Sequence, residues 1–339
     1  MTDSTRIALA SRPHGEPTAD DFRTETRTLP ALADGQVLLR TIYLSLDPYM
    51  RGRMSDAKSY AEPMEIGDTV VGGTVCEVME SRSDRAQPGD IVLAYTGWQT
   101  HDIVSERHFR VLDPDAAPLS AWLGVLGMPG FTAYAGLLKI GRPQPGETVA
   151  VAAATGPVGS AVGQIARIKG ARAVGIAGGN QKVEWLREAG FDAALDHRSP
   201  SFAHDLADAS EDGIDVYFEN VGGAVWNEVL PRLNKFARVP VCGLVSQYNA
   251  TSAPTGPDLQ PRLMSAVLTK SLLIRGFIQD EFWQEMREDF FRDMPAWVRD
   301  GKIIYQEDIV DGLENAPAAF ANMLRGGNFG KLVIRVGEE

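Results

Sequence analysis

The stretch Ala153-Ala154-Thr155-Gly156-Pro157-Val158-Gly159 decides the fold. It follows an all-apolar run, 148–153, and leads into 158–169, where Val158, Val162, Ile165, Ala166 and Ile168 recur at near-helical spacing. The segment therefore predicts strand, tight turn and helix. Its glycines form a dinucleotide fingerprint, GxGxxG, in which Ala154 stands at the first glycine position. The physical logic survives that exchange. Gly156 lets the backbone approach a pyrophosphate, Gly159 lets the helix pack close to the strand, and the helix N-terminus offers amides to an anion. Out of context the same residues describe no more than a tight turn, so the flanking pattern has to carry the reading.

That pattern continues downstream. Apolar runs at 173–177, 193–195, 214–218, 236–242 and 271–278 read as further strands. Helical patterns fall between them at 181–189, closed by Gly190, and at 224–233. Six strands alternating with helices predict a complete doubly wound parallel sheet. Upstream the character differs: extended runs at 36–46, 69–79 and 90–95 lie between turns such as Ala33-Asp34-Gly35 and Gln87-Pro88-Gly89-Asp90, which predicts a compact β-rich domain. The change comes at Gln144-Pro145-Gly146-Glu147. After the sheet, Trp283, Met286, Phe290, Phe291, Met294, Trp297 and Val298 make one apolar stripe on a long helix, 281–298, and are expected in the core. A helix at 316–324 and a strand at 331–336 close the chain, and the strand is expected to return to the first domain. Pro254, Gly256, Pro257 and Pro261 mark a loop expected beside a site.

Composition agrees with two globular domains. At 339 residues the chain exceeds one ordinary core, and 44% hydrophobic with 23% charged residues is a soluble composition. A net charge of −12, without any basic run, argues against a nucleic-acid partner. No apolar run reaches the roughly 18 residues of a membrane span, and the start lacks a signal-peptide core, so no membrane partner and a cytoplasmic location are expected. Cys76 and Cys242 are far apart, each in an apolar stretch, as buried thiols in a reducing compartment would be.

The cofactor can be narrowed. NAD-binding folds usually place a carboxylate at the end of the second strand, whereas this chain has Gly178-Gly179-Asn180 there. Nothing at that point repels a 2′-phosphate. Lys182 follows within one helical turn and His197-Arg198 after the third strand. Lys182 alone would read as a solvated helix lysine; with the acid missing, the combination favours NADPH. Metal chemistry is not expected. Two isolated cysteines cannot build a four-cysteine zinc site, His101 and His108 lie seven apart in a polar stretch, and His14 sits in a Pro/Gly turn. A Gly-x-Ser-x-Gly nucleophile elbow is also lacking.

Longer motifs point to a family. Leu46-Asp47-Pro48-Tyr49-Met50-Arg51, Gly127-Met128-Pro129-Gly130-Phe131-Thr132-Ala133-Tyr134, Gly156-Pro157-Val158-Gly159-Ser160, Tyr217-Phe218-Glu219-Asn220-Val221-Gly222-Gly223, the run from Cys242-Gly243 to Tyr248-Asn249, and Gly327-Asn328-Phe329-Gly330-Lys331 span the chain almost end to end. Together they resemble the zinc-independent medium-chain dehydrogenases/reductases, and within them the leukotriene B4 12-hydroxydehydrogenase, prostaglandin reductase and alkenal reductase group. The resemblance implies an α/β protein with a GroES-like β-rich catalytic domain, 1–125 with 303–339, around a Rossmann NADP-binding domain, 126–302, and a homodimer. It implies that Gly156, Pro157, Val158, Gly159 and Ser160 hold the pyrophosphate, and that Gly179, Lys182 and His197 lie by the 2′-phosphate. Asn220, Cys242, Gly243, Ser246, Tyr248, Phe277, Ile278, Gln279 and Asn328 would line the cofactor. Tyr49 and Tyr248 would face substrate. His197 departs from the pattern, which usually has tyrosine there.

The implied chemistry is reduction of a small-molecule enal or enone by NADPH. Hydride reaches the β-carbon of a C=C conjugated to a carbonyl, and a tyrosine hydroxyl, Tyr248 first, steadies the enolate. Water or a ribose hydroxyl competes as proton donor. Quinone reduction by NADPH and a non-catalytic NADPH-binding role are the alternatives.

Overall fold

The computed structural model describes residues 2–252 and 257–339; Pro254 and Gly256 of the expected loop lie outside them. The chain forms two compact units, Met1–Gly124 with Glu307–Glu339, and Val125–Gln306.

The first unit opens with an antiparallel hairpin, β1 (Asp3–Leu9) and β2 (Phe22–Thr28). The ten-residue β3 (Gln36–Ser45) is buried along most of its length and leads into the short α1 (Tyr49–Arg53). Next come β4 (Thr74–Ser81), β5 (Ile91–Ala94), β6 (His101–Ser105) and β7 (Phe109–Val111), antiparallel to their neighbours, with β6 also on β3. The run expected as strand from 69 is strand only from Thr74, because Gly72 and Gly73 intervene. A Cβ on Gly72 would lie 2.8 Å from Leu44 Cδ1 and 3.3 Å from Ser45 O, so the Leu44 side chain would have to move to admit one.

The second unit begins with α2 (Met128–Ala135), which runs on into a π-turn. It continues β8 (Thr148–Ala152), α3 (Pro157–Ile168), β9 (Arg172–Ala177), α4 (Asn180–Glu188), β10 (Ala193–Asp196), α5 (Phe202–Ala209), β11 (Ile214–Phe218), α6 (Gly223–Val229), β12 (Leu233–Val241), α7 (Gln260–Lys270), β13 (Leu273–Gly276) and α8 (Asp280–Arg299). These strands pair in parallel, in the order β10-β9-β8-β11-β12-β13. Every residue of β8 is buried, as expected of a strand covered on both faces. The order reverses between β8 and β11, and that switch point is where such sheets bind ligands.

Several local expectations need correction. The helix expected to Leu233 stops at Val229 and tightens into a 3₁₀ turn, Leu230–Arg232, where Pro231 removes an amide donor. Pro261, expected in a loop, lies in the first turn of α7, where proline is tolerated. The strand expected over 271–278 is confined to Leu273–Gly276, because Ser271 is left-handed at φ 51° and caps α7. On α8 only Phe290 and Met294 of the expected stripe are fully buried.

The tail adds β14 (Glu307–Asp311), α9 (Ala316–Leu324) and β15 (Lys331–Arg335) to the first unit, with β15 antiparallel to β3. Its core gathers Ile7, Leu9, Leu44, Leu46, Met50, Met54 and Phe320 around Trp98. Trp98 is fully buried, stacked on Phe22 at 5.5 Å and edge-on to Phe320 at 5.7 Å. Trp98→Ala should cost about 3–5 kcal/mol, from lost burial plus the cavity left behind. Urea unfolding checks this; a midpoint equal to the wild type would show that the ring does not hold this layer together.

Candidate functional site

At the end of β8 the chain turns so tightly that Ala153 takes φ 51°, a left-handed conformation uncommon for alanine. Gly156 is the N-cap of α3 and Pro157 its first residue. A Cβ on Gly159 would lie 2.4 Å from Ala153 O and 2.7 Å from Ala154 Cα, so only glycine fits. Ser160 is buried and its amide donates to Gly156 O at 2.9 Å, closing the first helical turn. Val158 and Gly159 therefore present the amides that have no acceptor within the helix. This is a backbone cradle suited to a pyrophosphate.

The next turn joins β9 to α4. Gly179, at φ 97°, is the N-cap of α4 and donates its amide to Asp196 Oδ1 at 3.0 Å; the Arg198 amide donates to the same oxygen at 2.9 Å. Partial burial pushes the Asp196 carboxyl up, but those two amides and the neighbouring cations hold it below the usual range. A Cβ on Gly178 would meet His197 Nε2 and Arg198 Nε, each at 2.8 Å, so both side chains lie across the Gly178 backbone. Loss of hydration, then the charges of Arg198 and Lys182, hold the His197 imidazole below its ordinary value, against the pull of Asp196. The structure thus gathers Gly179, Lys182 and His197 at one turn. Arg198, read with His197 in the sequence as a second cationic candidate, lies there too, and the structure adds Asp196, which carries no sequence signal beyond following an apolar run.

Across the switch point, Asn220 Nδ2 donates to Ala152 O at 2.8 Å, tying the end of β11 to the end of β8. Glu219, almost fully buried, organises the turns on either side of that tie. Its Oε1 accepts from the Val221 and Gly222 amides at 2.7 and 2.9 Å and from the Tyr217 hydroxyl at 3.3 Å, while Oε2 is buried with no hydrogen-bond partner among the described residues. Its main-chain oxygen accepts from Cys242 and Gly243 at 2.9 and 3.2 Å. Burial holds the Glu219 carboxyl above the usual range despite these donors. Burial, with the charge of Glu219, pushes the Cys242 thiol up to about 12, so Cys242 stays a neutral thiol at physiological pH.

The loop after Cys242 folds back on this frame. Ser246 Oγ donates to Val221 O at 2.6 Å and Val245 N to Asn220 O at 3.1 Å. The Tyr248 hydroxyl accepts from the Leu244 amide at 3.4 Å. Phe277 differs from expectation in what it offers. Its ring packs into the core against Phe218 and Phe282, centroids 6.1 Å from each, so only its main chain remains for a ligand. Ile278 donates its amide to Glu281 Oε1 at 2.8 Å, and Gln279 Nε2 donates to Asp280.

Tyr49 and Asn328 belong to the first unit. Tyr49 opens α1, and burial, then the charge of Asp47 and the nearby phenols of Tyr95 and Tyr60, hold its hydroxyl proton on well above the usual range despite Arg53. Asn328 Nδ2 donates to Gly330 O at 2.8 Å. Among the described residues, no group of three or more His, Cys, Asp or Glu side chains could hold a metal ion.

Comparison with known proteins fits this frame. Residues 5–112 match the family described as "N-terminal domain of oxidoreductase" and residues 157–293 the family described as "Zinc-binding dehydrogenase". The chain is 55% identical over 332 residues to the NADPH-dependent curcumin reductase of Escherichia coli (strain K12), covering 98% of this chain and 96% of that protein. It is 44% identical over 325 residues to prostaglandin reductase 1 of Bos taurus, covering 95% of each. The crystal structure of CurA in complex with NADPH from Vibrio vulnificus superposes with a TM-score of 0.95 at 52% identity, covering 99% of this chain and 100% of that one. With a GroES-like β-rich unit, a Rossmann unit and relatives of this closeness along its whole length, the chain belongs to the zinc-independent medium-chain dehydrogenase/reductase family.

Proposed function

We propose that this protein is an NADPH-dependent reductase of the C=C bond in α,β-unsaturated aldehydes and ketones. The observation that carries the cofactor is the turn at Gly178–Gly179, where the His197 and Arg198 side chains cross the backbone and Lys182 adds its charge. The names of the close relatives support the same cofactor and a reductive reaction. The segment 126–302 is the dinucleotide domain in this reading, and 1–125 with 303–339 the catalytic one.

Val158 and Gly159 hold the pyrophosphate through their amides, with Gly156, Pro157 and Ser160 shaping the turn. Lys182, His197 and Arg198 take the 2′-phosphate. Asn220, the Cys242 to Ser246 loop and the main chain of Phe277, with Ile278, Gln279 and Asn328, line the remainder. The bound dinucleotide supplies the hydride. The chain's own task is to orient the conjugated carbonyl and steady the charge that develops on its oxygen. Tyr248 is the first donor in this reading: its hydroxyl accepts from the Leu244 amide at 3.4 Å and lies on the loop that folds back on Val221 and Asn220. Tyr49, whose hydroxyl stays protonated, is the second donor. Hydride goes to the β-carbon rather than to the carbonyl carbon, so no metal is required to polarise a C=O bond.

No helix among the described residues is long and apolar enough to cross a membrane. The small-molecule reaction and the two free cysteines suit the cytoplasm. A homodimer is part of the proposal. The edge strand β13 exposes Leu273, and α7 beside it exposes Met264 and Leu268, an apolar edge that a second copy would cover.

NADPH consumption with conjugated ketones and aldehydes, alongside a quinone, tests the reaction class. Turnover of the quinone alone would replace the reading, and NADPH binding without any turnover would remove it. Lys182→Ala should weaken NADPH about ten- to a hundredfold while moving NADH little, since one charged contact is lost. Equal NADPH dissociation constants for the two proteins would sink the 2′-phosphate assignment.

His197 adds a pH dependence whose sign is fixed. In the free protein its imidazole is held below the ordinary value near 6.5, hence neutral at pH 7. A dianionic phosphate beside it favours the charged ring, so binding takes up a proton and affinity rises as pH falls through that window. The phosphate titrates near 6 itself, so the informative quantity is wild type against His197→Tyr over about pH 5.5 to 8. Parallel profiles would remove His197 from the site. Tyr248→Phe should lower kcat for an enone about ten- to a hundredfold, with NADPH affinity nearly unchanged, because water or a ribose hydroxyl shares the load. Reduction at the wild-type rate would pass the donor role to Tyr49.

A further inference from the structure

The first unit buries an ion pair that the reaction as proposed does not use. Lys331 begins β15 with its side chain 3% exposed, and its ammonium donates to Asp47 Oδ1 at 2.7 Å and to Leu46 O at 2.8 Å. Asp47 is buried as well, and its second oxygen accepts from the Ser45 hydroxyl. Glu307, whose Oε2 accepts from Ser120 Oγ at 2.8 Å, adds a second negative group facing the ammonium. The lysine stem lies against Gly124, where a Cβ would come within 3.3 Å of Lys331 Cγ.

Stability is a poor account of such a pair. Desolvating two full charges costs several kcal/mol each, and apolar side chains of the same volume often hold a core as well or better. In some proteins a buried hydrogen-bonded pair instead fixes the register between two segments. Here those segments are informative. Asp47 is two residues before Tyr49, and its carbonyl accepts from Met50 N at 3.1 Å to start the α1 turn. Lys331 is three residues after Asn328, whose side chain is bonded to Gly330 O. The Leu46 amide donates to Leu332 O at 3.2 Å, so main chain and side chains lock the same crossing.

We propose that the Asp47–Lys331 pair is a positioning element that holds the Tyr49 turn and the Asn328 loop of this unit in one register. It acts through Tyr49 and touches neither substrate nor cofactor. The inference rests on the roles given to Tyr49 and Asn328 in the enone-reductase reading.

The test is a coupling measurement with Asp47→Asn/Lys331→Met, which removes both charges together and keeps the volumes close. Purified protein is measured at 25 °C, well below its unfolding midpoint, for NADPH affinity and for kcat and KM with a conjugated ketone. Misplacement of a group by about 1 Å can cost a hundredfold in rate, so kcat should fall ten- to a hundredfold while the enone KM moves less than threefold. Tyr49→Phe should cost much less in that background than in the wild type, because groups acting as a unit are non-additive. A double variant with wild-type kcat, or a Tyr49→Phe effect of the same size in both backgrounds, overturns the proposal even if the unfolding midpoint drops. Absence of enone turnover by the wild type defeats the reading beneath it instead. If the double variant yields no soluble protein, Ser45→Ala releases Asp47 from one partner only, and a smaller, likewise non-additive fall in kcat is expected.

Discussion

The approach of the first turn of α3 to the end of β8 is the constraint on which the dinucleotide end of the parallel sheet depends. At Gly159 the two backbones leave no space for a Cβ, and Ala153 is bent into the left-handed region to permit it, at roughly 1–2 kcal/mol for a non-glycine residue. The strain is held by neighbours. Ala154 donates to Ile176 O at 3.0 Å, and the Asn220 side chain fastens Ala152 O. A larger residue at 159 would lift α3 away and carry its first-turn amides with it. The cradle is therefore a consequence of packing, and any anion bound there depends on atoms that never touch it.

Glu219 extends the same dependence to the other side of the switch point. One carboxylate oxygen takes two amides and a phenol, the main-chain oxygen takes two more amides, and the other carboxylate oxygen is buried with no hydrogen-bond partner among the described residues. A buried acceptor without a donor is destabilising by about 1–3 kcal/mol. In return, the Val221-Gly222 turn and the Cys242-Gly243 turn are hung from one residue, and the loop carrying Tyr248 inherits their position. The end of β11 is thus organised from inside the protein.

Legibility in the sequence depended on which interactions are local. Most strands of the parallel sheet could be read because they are short apolar runs, and the fingerprint turn because Gly159 sits where a Cβ has no room. The hairpin of β1 and β2 could not, since β2 reads Phe-Arg-Thr-Glu-Thr-Arg-Thr and is held by ion pairs such as Arg6 with Glu25 at 2.6 Å. The long helix α7 was hidden by Pro261, a breaker in a loop and an ordinary starter in a helix. At the candidate site the glycines and cations carried their own signal. Asp196 and Glu219 did not, because a carboxylate at a strand end gains meaning only from the amides that tertiary structure brings to it. Lys331 lies 284 positions from Asp47, and no spacing rule connects them.

The two candidate tyrosines illustrate how differently one chemical group can be held. Tyr49 stands on a turn anchored from beneath by a buried ion pair, and burial with negative neighbours keeps its proton in place. Tyr248 accepts from an amide four residues before it, on a loop that bonds to Val221 and Asn220. Side chains of the first kind keep one geometry whatever approaches them; those of the second can shift with the loop at smaller cost, since none of Val245–Gln247 is buried. On the proposed reading, accommodation of conjugated carbonyls of different size therefore belongs to the Val245 to Tyr248 segment, while the Tyr49 turn keeps one geometry for all of them.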